Sequence, residues 1–200
     1  MRRLFITFEG IDGCGKTTQL NLLAQYLKEK GFDAVITREP GAKGLGEKVR
    51  DILLNYDGEV SSNCEAFLFL ADRAQNTDII VKSALEAGKI VLCDRHTDST
   101  IAYQGYGRGV DLEHLRMLNN LATSGLKPDL TFVFDIDIET ALSRVGKTKD
   151  RMESAGLEFF EKTRTGYLEI AKQEPDRVKV INSKNSIENI FEQVKQYIEF

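Results

Sequence analysis

Several features that mark other protein classes are scarce in this sequence. Cysteine occurs three times in 200 residues, at positions 14, 64 and 93. An odd count without CxxC spacing excludes a disulfide scaffold and predicts reduced thiols in a cytosolic protein. The histidines, His96 and His114, have no partners at metal-ligand or catalytic-triad spacing. No apolar run approaches the ~20 residues that span a bilayer; stretches such as Leu4 to Phe8 and Lys89 to Cys93 are among the longest. Met1-Arg2-Arg3 is basic, but Glu9 follows too soon for a signal-peptide core, so neither membrane insertion nor secretion is expected. Positive charge is in deficit, with 27 Lys and Arg against 31 Asp and Glu for a net charge of -4. That balance excludes the bulk field of a non-specific nucleic-acid binder. Proline is rare, and Pro40, Pro128 and Pro175 each fall between predicted elements.

What remains is an ordinary globular composition, 42% hydrophobic and 29% charged, in a chain long enough for one domain. Five β-prone runs alternate with helical patterns: Leu4 to Phe8, Ala34 to Thr37, Ile90 to Cys93, Leu130 to Phe134 and Val178 to Ile181. Their nearly continuous apolar character predicts strands covered on both faces, hence an α/β fold with a doubly wound, five-stranded parallel sheet flanked by helices. A helix is expected from Lys16 to Lys30, ending at Gly31, and another after a cap at Ser186, with Ile187, Ile190, Phe191 and Val194 on one face. A further helix around Phe67 is expected to bury Phe67, Leu70, Ala71 and Ala74 against the sheet. Gly146 to Arg151 is polar and mostly cationic, either a mobile flap or a solvated loop.

Chemistry begins directly after the first run. Gly10-Ile11-Asp12-Gly13-Cys14-Gly15-Lys16-Thr17 fits G-x-x-x-x-G-K-[ST] between a strand and a helix, the required context of a nucleoside-triphosphate P-loop. Glycines let the backbone aim N–H groups at phosphate oxygens, Lys16 reaches the β and γ phosphates, and the Thr17 hydroxyl serves Mg²⁺. Cys14 is read as a small loop residue. The third strand ends in Cys93-Asp94-Arg95, beside the P-loop strand in such sheets, where Asp94 can orient water on Mg²⁺ and Arg95 can clamp a phosphate; a surface ion pair is the alternative.

Phe69 and Arg73 lie one turn apart on a face away from the expected core stripe, suited to stacking on and hydrogen bonding a planar heterocycle. The competing reading is a second packing face with a surface arginine. Thr100, Tyr103 and Gln104 share one helical face, either a pocket that reads a base edge and a sugar or a solvated surface. Gly105, Gly107 and Gly109 are expected to interrupt that helix. Thr37 to Gly41 delivers Arg38 and Glu39 to the same sheet edge, and Arg50 adds a positive group or an exposed salt bridge.

Together these residues resemble the thymidylate kinase family of P-loop nucleoside monophosphate kinases. The resemblance runs end to end, through Phe5 to Gly10, Thr37 to Gly41, Phe69 with Arg73, Asp94-Arg95-His96, Ala102 to Gly105 and Asp150-Arg151. It implies phosphoryl transfer from MgATP to dTMP. Gly10 to Thr18, with Ile11, Asp12, Gly13, Cys14, Gly15, Lys16 and Thr17 between, and Arg144 would bind ATP. Phe69 would stack on thymine, Arg73 would bond its O4, and Thr100 and Gln104 would face the remaining base edge. Tyr103 would crowd the ribose 2′ position, Asp12 would lie near the 3′-hydroxyl, and Arg95 would hold the 5′-phosphate. Arg38, Glu39 and Arg50 would border the acceptor. A lid at about 144–156 would close over ATP, with Arg144, Lys147, Lys149 and Arg151 as candidates for the catalytic cation and Arg151 foremost. A cytoplasmic homodimer, without nucleic-acid or membrane partners, follows from the same resemblance. Gly41-Ala42-Lys43 departs from the family's Gly-Gly-Thr, and His96 replaces a common aromatic. The rival functions are a deoxynucleoside kinase, another monophosphate kinase, and a GTPase-type nucleotide-gated binding module, whose Asn-Lys-x-Asp signature Asn182 to Asn185 does not match.

Overall fold

The five apolar runs form one parallel sheet in the order β2-β3-β1-β4-β5. The computed structural model describes residues 3–145, Arg151 and residues 156–198. The strands are β1 (Phe5–Glu9), β2 (Ala34–Arg38), β3 (Ile90–Asp94), β4 (Leu130–Asp135) and β5 (Val178–Asn182). Each extends one residue past its apolar run, because the ladder continues while the side chain emerges at the sheet edge. Glu9, Arg38, Asp94, Asp135 and Asn182 therefore all stand at the carboxyl ends. β1 is buried at every position and pairs with β3 on one side and β4 on the other, placing Phe8 opposite Asp94 and Phe132. Strand order reverses around β1, which makes its carboxyl end the natural ligand crevice.

Helices cover both faces. On one, α1 (Lys16–Glu29) buries Leu20, Leu23 and Leu27 and stops before Gly31, whose φ of 83° suits glycine. Beside it, α9 (Ile187–Lys195) is capped by Ser186, whose Oγ accepts from the Asn189 N–H, and Phe191 meets Tyr26 edge-on at 6.0 Å. An aromatic cluster joins β1 to β4, where Phe8 contacts Phe132 and Phe134 at 5.7 and 5.9 Å. α8 (Leu157–Gln173) adds Phe159, Phe160, Tyr167 and Ile170 to the core.

Two expectations are corrected. α3 (Ser62–Asn76) does not bury the Phe67 stripe: Phe67 is 57% exposed and Ala71 is exposed. Its inward face is Glu65, Ala66, Leu70, Asp72, Arg73 and Asn76, because those polar groups find partners inside and thus need no solvent. The helix beginning with α5 (Thr97–Thr100) is also not interrupted at Gly105. It continues as a π-helical stretch, Ile101–Gly107. Gly105 and Gly107 instead permit close packing, since a Cβ would lie 2.4 Å from Leu112 and 2.6 Å from Phe159.

A polar bolt crosses the sheet interior. The hydroxyls of Thr7 and Thr131 meet at 2.7 Å, Arg177 donates to Thr131 Oγ1 at 2.7 Å, and Arg177 is paired with Asp98. Removing either threonine hydroxyl has unequal consequences. Thr131→Val leaves the buried Thr7 hydroxyl without its partner and should destabilise by about 1–3 kcal/mol. Thr7→Val leaves Thr131 still bonded to Arg177 and should cost less than about 1 kcal/mol. Urea denaturation of the two variants tests the asymmetry.

Candidate active site

The carboxyl end of β1 turns at once into the glycine loop. Gly10, Gly13 and Gly15 have φ of 137°, 80° and 90°, and a Cβ on Gly13 would lie 2.1 Å from the Ala141 carbonyl oxygen. Only glycine fits there. The loop ends at the amino terminus of α1, whose first N–H groups face a cleft of about 490 Å³ lined by Gly13 to Gln19, Arg144, Asn185 and Ile187. Lys16 lies 3.6 Å from Asp12. Thr17 donates its hydroxyl hydrogen to Asp94 at 2.7 Å, so a hydroxyl and a carboxylate oxygen from separate elements meet at the loop.

Arg95 immediately follows β3 with φ of 71°, left-handed backbone that a non-glycine residue adopts only under constraint. Its side chain supplies the constraint. Nη1 donates to Gly10 O at 2.9 Å and to Tyr167 Oη at 3.2 Å, and Nη2 donates to Asp12 at 2.7 Å and Tyr103 Oη at 3.0 Å. The guanidinium also lies over the Tyr103 ring, 4.8 Å from its centre.

Behind Arg95 is a cavity of about 80 Å³ whose wall includes Phe69, Arg73, Tyr103, Gln104, Leu54 and Pro40. Asp12, Glu39, Arg50 and Arg95 line this cavity and also a larger cleft of about 600 Å³ that reaches Lys16, Thr17, Arg38 and Asp94. The sequence expectation set Arg73 apart from the core, whereas only 1% of it is exposed. Nε donates to Glu39 at 2.8 Å, Nη1 to Thr100 at 2.6 Å and Asn119 at 2.7 Å, and Nη2 to the His96 carbonyl at 2.8 Å. Thr100 thus holds Arg73 and is absent from the cavity wall. Arg50 donates to Pro40 O at 2.9 Å.

Arg151 donates to Leu53 O at 2.9 Å and to Glu65 at 2.7 Å. Arg144 lines the P-loop cleft. Lys147 and Lys149 lie outside the described residues.

Comparison with known proteins settles the family. The thymidylate kinase family model matches residues 8–194. The chain belongs to the thymidylate kinase family. A thymidylate kinase of Desulfovibrio desulfuricans is 46% identical over 98% of this chain and 95% of its own length. One from a Sulfurihydrogenibium species is 50% identical over 93% of this chain and 92% of its own. The crystal structure of thymidylate kinase from Ehrlichia chaffeensis superposes with a TM-score of 0.82 at 40% identity, covering 98% of both chains.

Several groups that shape these cavities carry no sequence motif. His96, given no role by spacing, is fully buried, with Nδ1 3.0 Å from Glu39. Glu39 is therefore no free base. Burial pushes its carboxyl up, but His96 and Arg73 outweigh that and hold it at about 2. Glu9 is likewise engaged, accepting from the His96 N–H at 2.7 Å, Ser99 at 2.6 Å and Tyr167 at 3.0 Å. Asp12 is drawn up by burial, yet Arg95 and Lys16 keep it well below the usual carboxylate range. Burial raises the Cys14 thiol, which removes any thiolate from the loop.

Glu9 provides a pH signature. Burial, aided by the charge of Asp98, lifts its carboxyl from 4.5 to about 7. Across that window the folded chain holds a proton that the unfolded chain has released, so stability falls as pH rises. Asp72, raised by burial and Glu39 from 3.8 to about 7, acts in the same sense. The thermal midpoint of Glu9→Gln should decline less steeply than that of wild type between pH 4.5 and about 7. Parallel slopes in a buffer-matched melting series would contradict this.

Proposed function

We propose that the chain transfers the γ-phosphoryl group of ATP to the 5′-phosphate of dTMP, giving ADP and dTDP. One observation carries this reading: a small cavity with an aromatic and an arginine wall shares Asp12, Glu39, Arg50 and Arg95 with the larger cleft that reaches Lys16 and Thr17 of the P-loop. A base fits the first space and phosphates fit the second.

The acceptor side follows from donor counting. A guanidinium has five N–H groups; Arg73 commits four to Glu39, Thr100, Asn119 and His96. Among the described residues none accepts from the second Nη2 N–H, which is left for the O4 of thymine, beneath a base stacked on Phe69. Tyr103, held by Arg95 and Asp12, closes the space where a ribose 2′-hydroxyl would lie. Among the described residues none accepts from Arg95 Nε, which is thus available to the 5′-phosphate. Arg38 and Arg50 add positive charge along the same path. The acceptor needs no strong base, because a phosphate monoester with its second pKa at about 6 is mostly dianionic at neutral pH.

On the donor side, backbone N–H groups from Gly10 to Thr18 cradle the phosphates, Lys16 answers the charge on the transferring group, and Arg144 flanks the cleft. The paired oxygens of Thr17 and Asp94 fit a hard divalent cation. Thr17 directly, and Asp94 through water, would hold Mg²⁺, which when bound offsets phosphate charge. The segment at about 144–156 serves as the lid of a single domain, and Arg151 or Arg144 supplies its catalytic cation. Arg151 reaches that role by leaving Glu65.

Among the described residues no helix is long and apolar enough to cross a membrane. The outward Phe67 on α3 and Ile79 in the π-helical turn after it support a homodimer joined through this surface.

ADP release measured with dTMP, dUMP, UMP, CMP, dGMP and thymidine tests the reaction, with dTMP expected to be preferred. Arg95→Ala should lower kcat/KM for dTMP by roughly 10²-fold or more, and a near-normal value would remove Arg95 from the acceptor site. For assembly, light scattering should show a dimer that Phe67→Glu converts to monomer. A monomeric wild type would end the dimer reading.

A further inference from the structure

The proposed base site needs more than a glutamine near the base edge, because an amide presents opposite chemistry at its two ends. Its oxygen accepts and its nitrogen donates, and a half-turn exchanges them. Gln104 is buried and lines the cavity beside Phe69 and Arg73. Its Nε2 donates to Glu65 Oε1 at 3.0 Å. Glu65 is itself buried, and its other contacts come from groups that can only donate: Arg108 Nε at 3.2 Å on Oε1, Arg108 Nη2 at 3.3 Å and Arg151 Nη1 at 2.7 Å on Oε2. Turning the amide over would set its oxygen against Glu65 Oε1 with no hydrogen between them, a repulsive contact that is costly in a buried site.

We infer that Glu65 is a positioning residue for base specificity: by fixing the Gln104 amide nitrogen, it directs the amide oxygen toward the acceptor cavity, where Arg73 offers a donor. That donor and acceptor pair fits a 4-keto pyrimidine, with a carbonyl at C4 and a hydrogen on N3. A 4-amino pyrimidine presents the reverse pattern and meets two mismatches. The inference rests on the acceptor reading given under Proposed function and identifies the group that makes the pocket discriminate.

The test is the ratio of kcat/KM for dTMP to that for dCMP, measured on the full chain with melting temperatures alongside. Glu65→Gln gives Gln104 a neighbour that can donate or accept, so both amide orientations become available. The ratio should fall by about tenfold or more, chiefly through a higher KM for dTMP. Adding Gln104→Glu to that variant restores an oxygen toward the cavity while the new amide donates across the pair, and the ratio should recover. An unchanged ratio in Glu65→Gln, or no recovery in the double variant, overturns the inference. If Glu65→Gln does not fold, Gln104→Met removes the amide while keeping its bulk. It should lose the same discrimination, and an unchanged ratio there is equally fatal. A wild type silent with dTMP overturns the acceptor reading and this one with it. A wild type active on dTMP whose variants keep its ratio overturns this one alone.

Discussion

The ion pair between Arg73 and Glu39, 2.8 Å apart with both side chains 1% exposed, sets the terms for the site around it. A buried guanidinium must have its hydrogens answered, and a buried carboxylate its lone pairs. Glu39 therefore also takes Asn76 and His96, and Arg73 takes Thr100, Asn119 and the His96 carbonyl. These partners come from α3, α5 and α6 (Leu112–Thr123) and from the segments after β2 and β3. One electrostatic requirement thus ties the second and third strand ends to three helices and fixes the wall on which a base would rest.

The same demand explains what could be read from the sequence. Strands and the P-loop were legible because their signals are local: continuous apolar runs, glycines at fixed spacing, and a lysine and threonine opening a helix. Even the strand ends shifted by only one residue. The inward face of α3 was not legible, since Glu65, Asp72, Arg73 and Asn76 read as surface until their partners, many tens of residues away, are known. Helical spacing also misdescribes the stretch after Thr100, where a π-helical backbone changes which side chains share a face. Thr100 was expected at the base edge and instead supports Arg73 from behind. Ser99, Asn119 and Tyr167 gave no signal, because a hydroxyl or an amide becomes informative only when its neighbour in space is known.

Arg95 illustrates both sides. Its place after a buried strand marked it as a ligand group, but neither its left-handed backbone nor the ring of Tyr103 beneath it was foreseeable. The five contacts of its two terminal nitrogens hold the guanidinium in one orientation, so a group bound there would cost it little further side-chain freedom.

The phosphate loop gains an unexpected property from its seat on α7 (Ile138–Arg144). Gly13 rests so closely on the Ala141 carbonyl that not even a methyl group fits between them, and Ala141 is itself wholly buried. A glycine-rich segment by itself is a supple hinge. Here its backbone is clamped against the hydrophobic interior and borrows the stiffness of that interior. The lack of side chains, which in open solution would make the loop floppy, is what lets it be wedged in place.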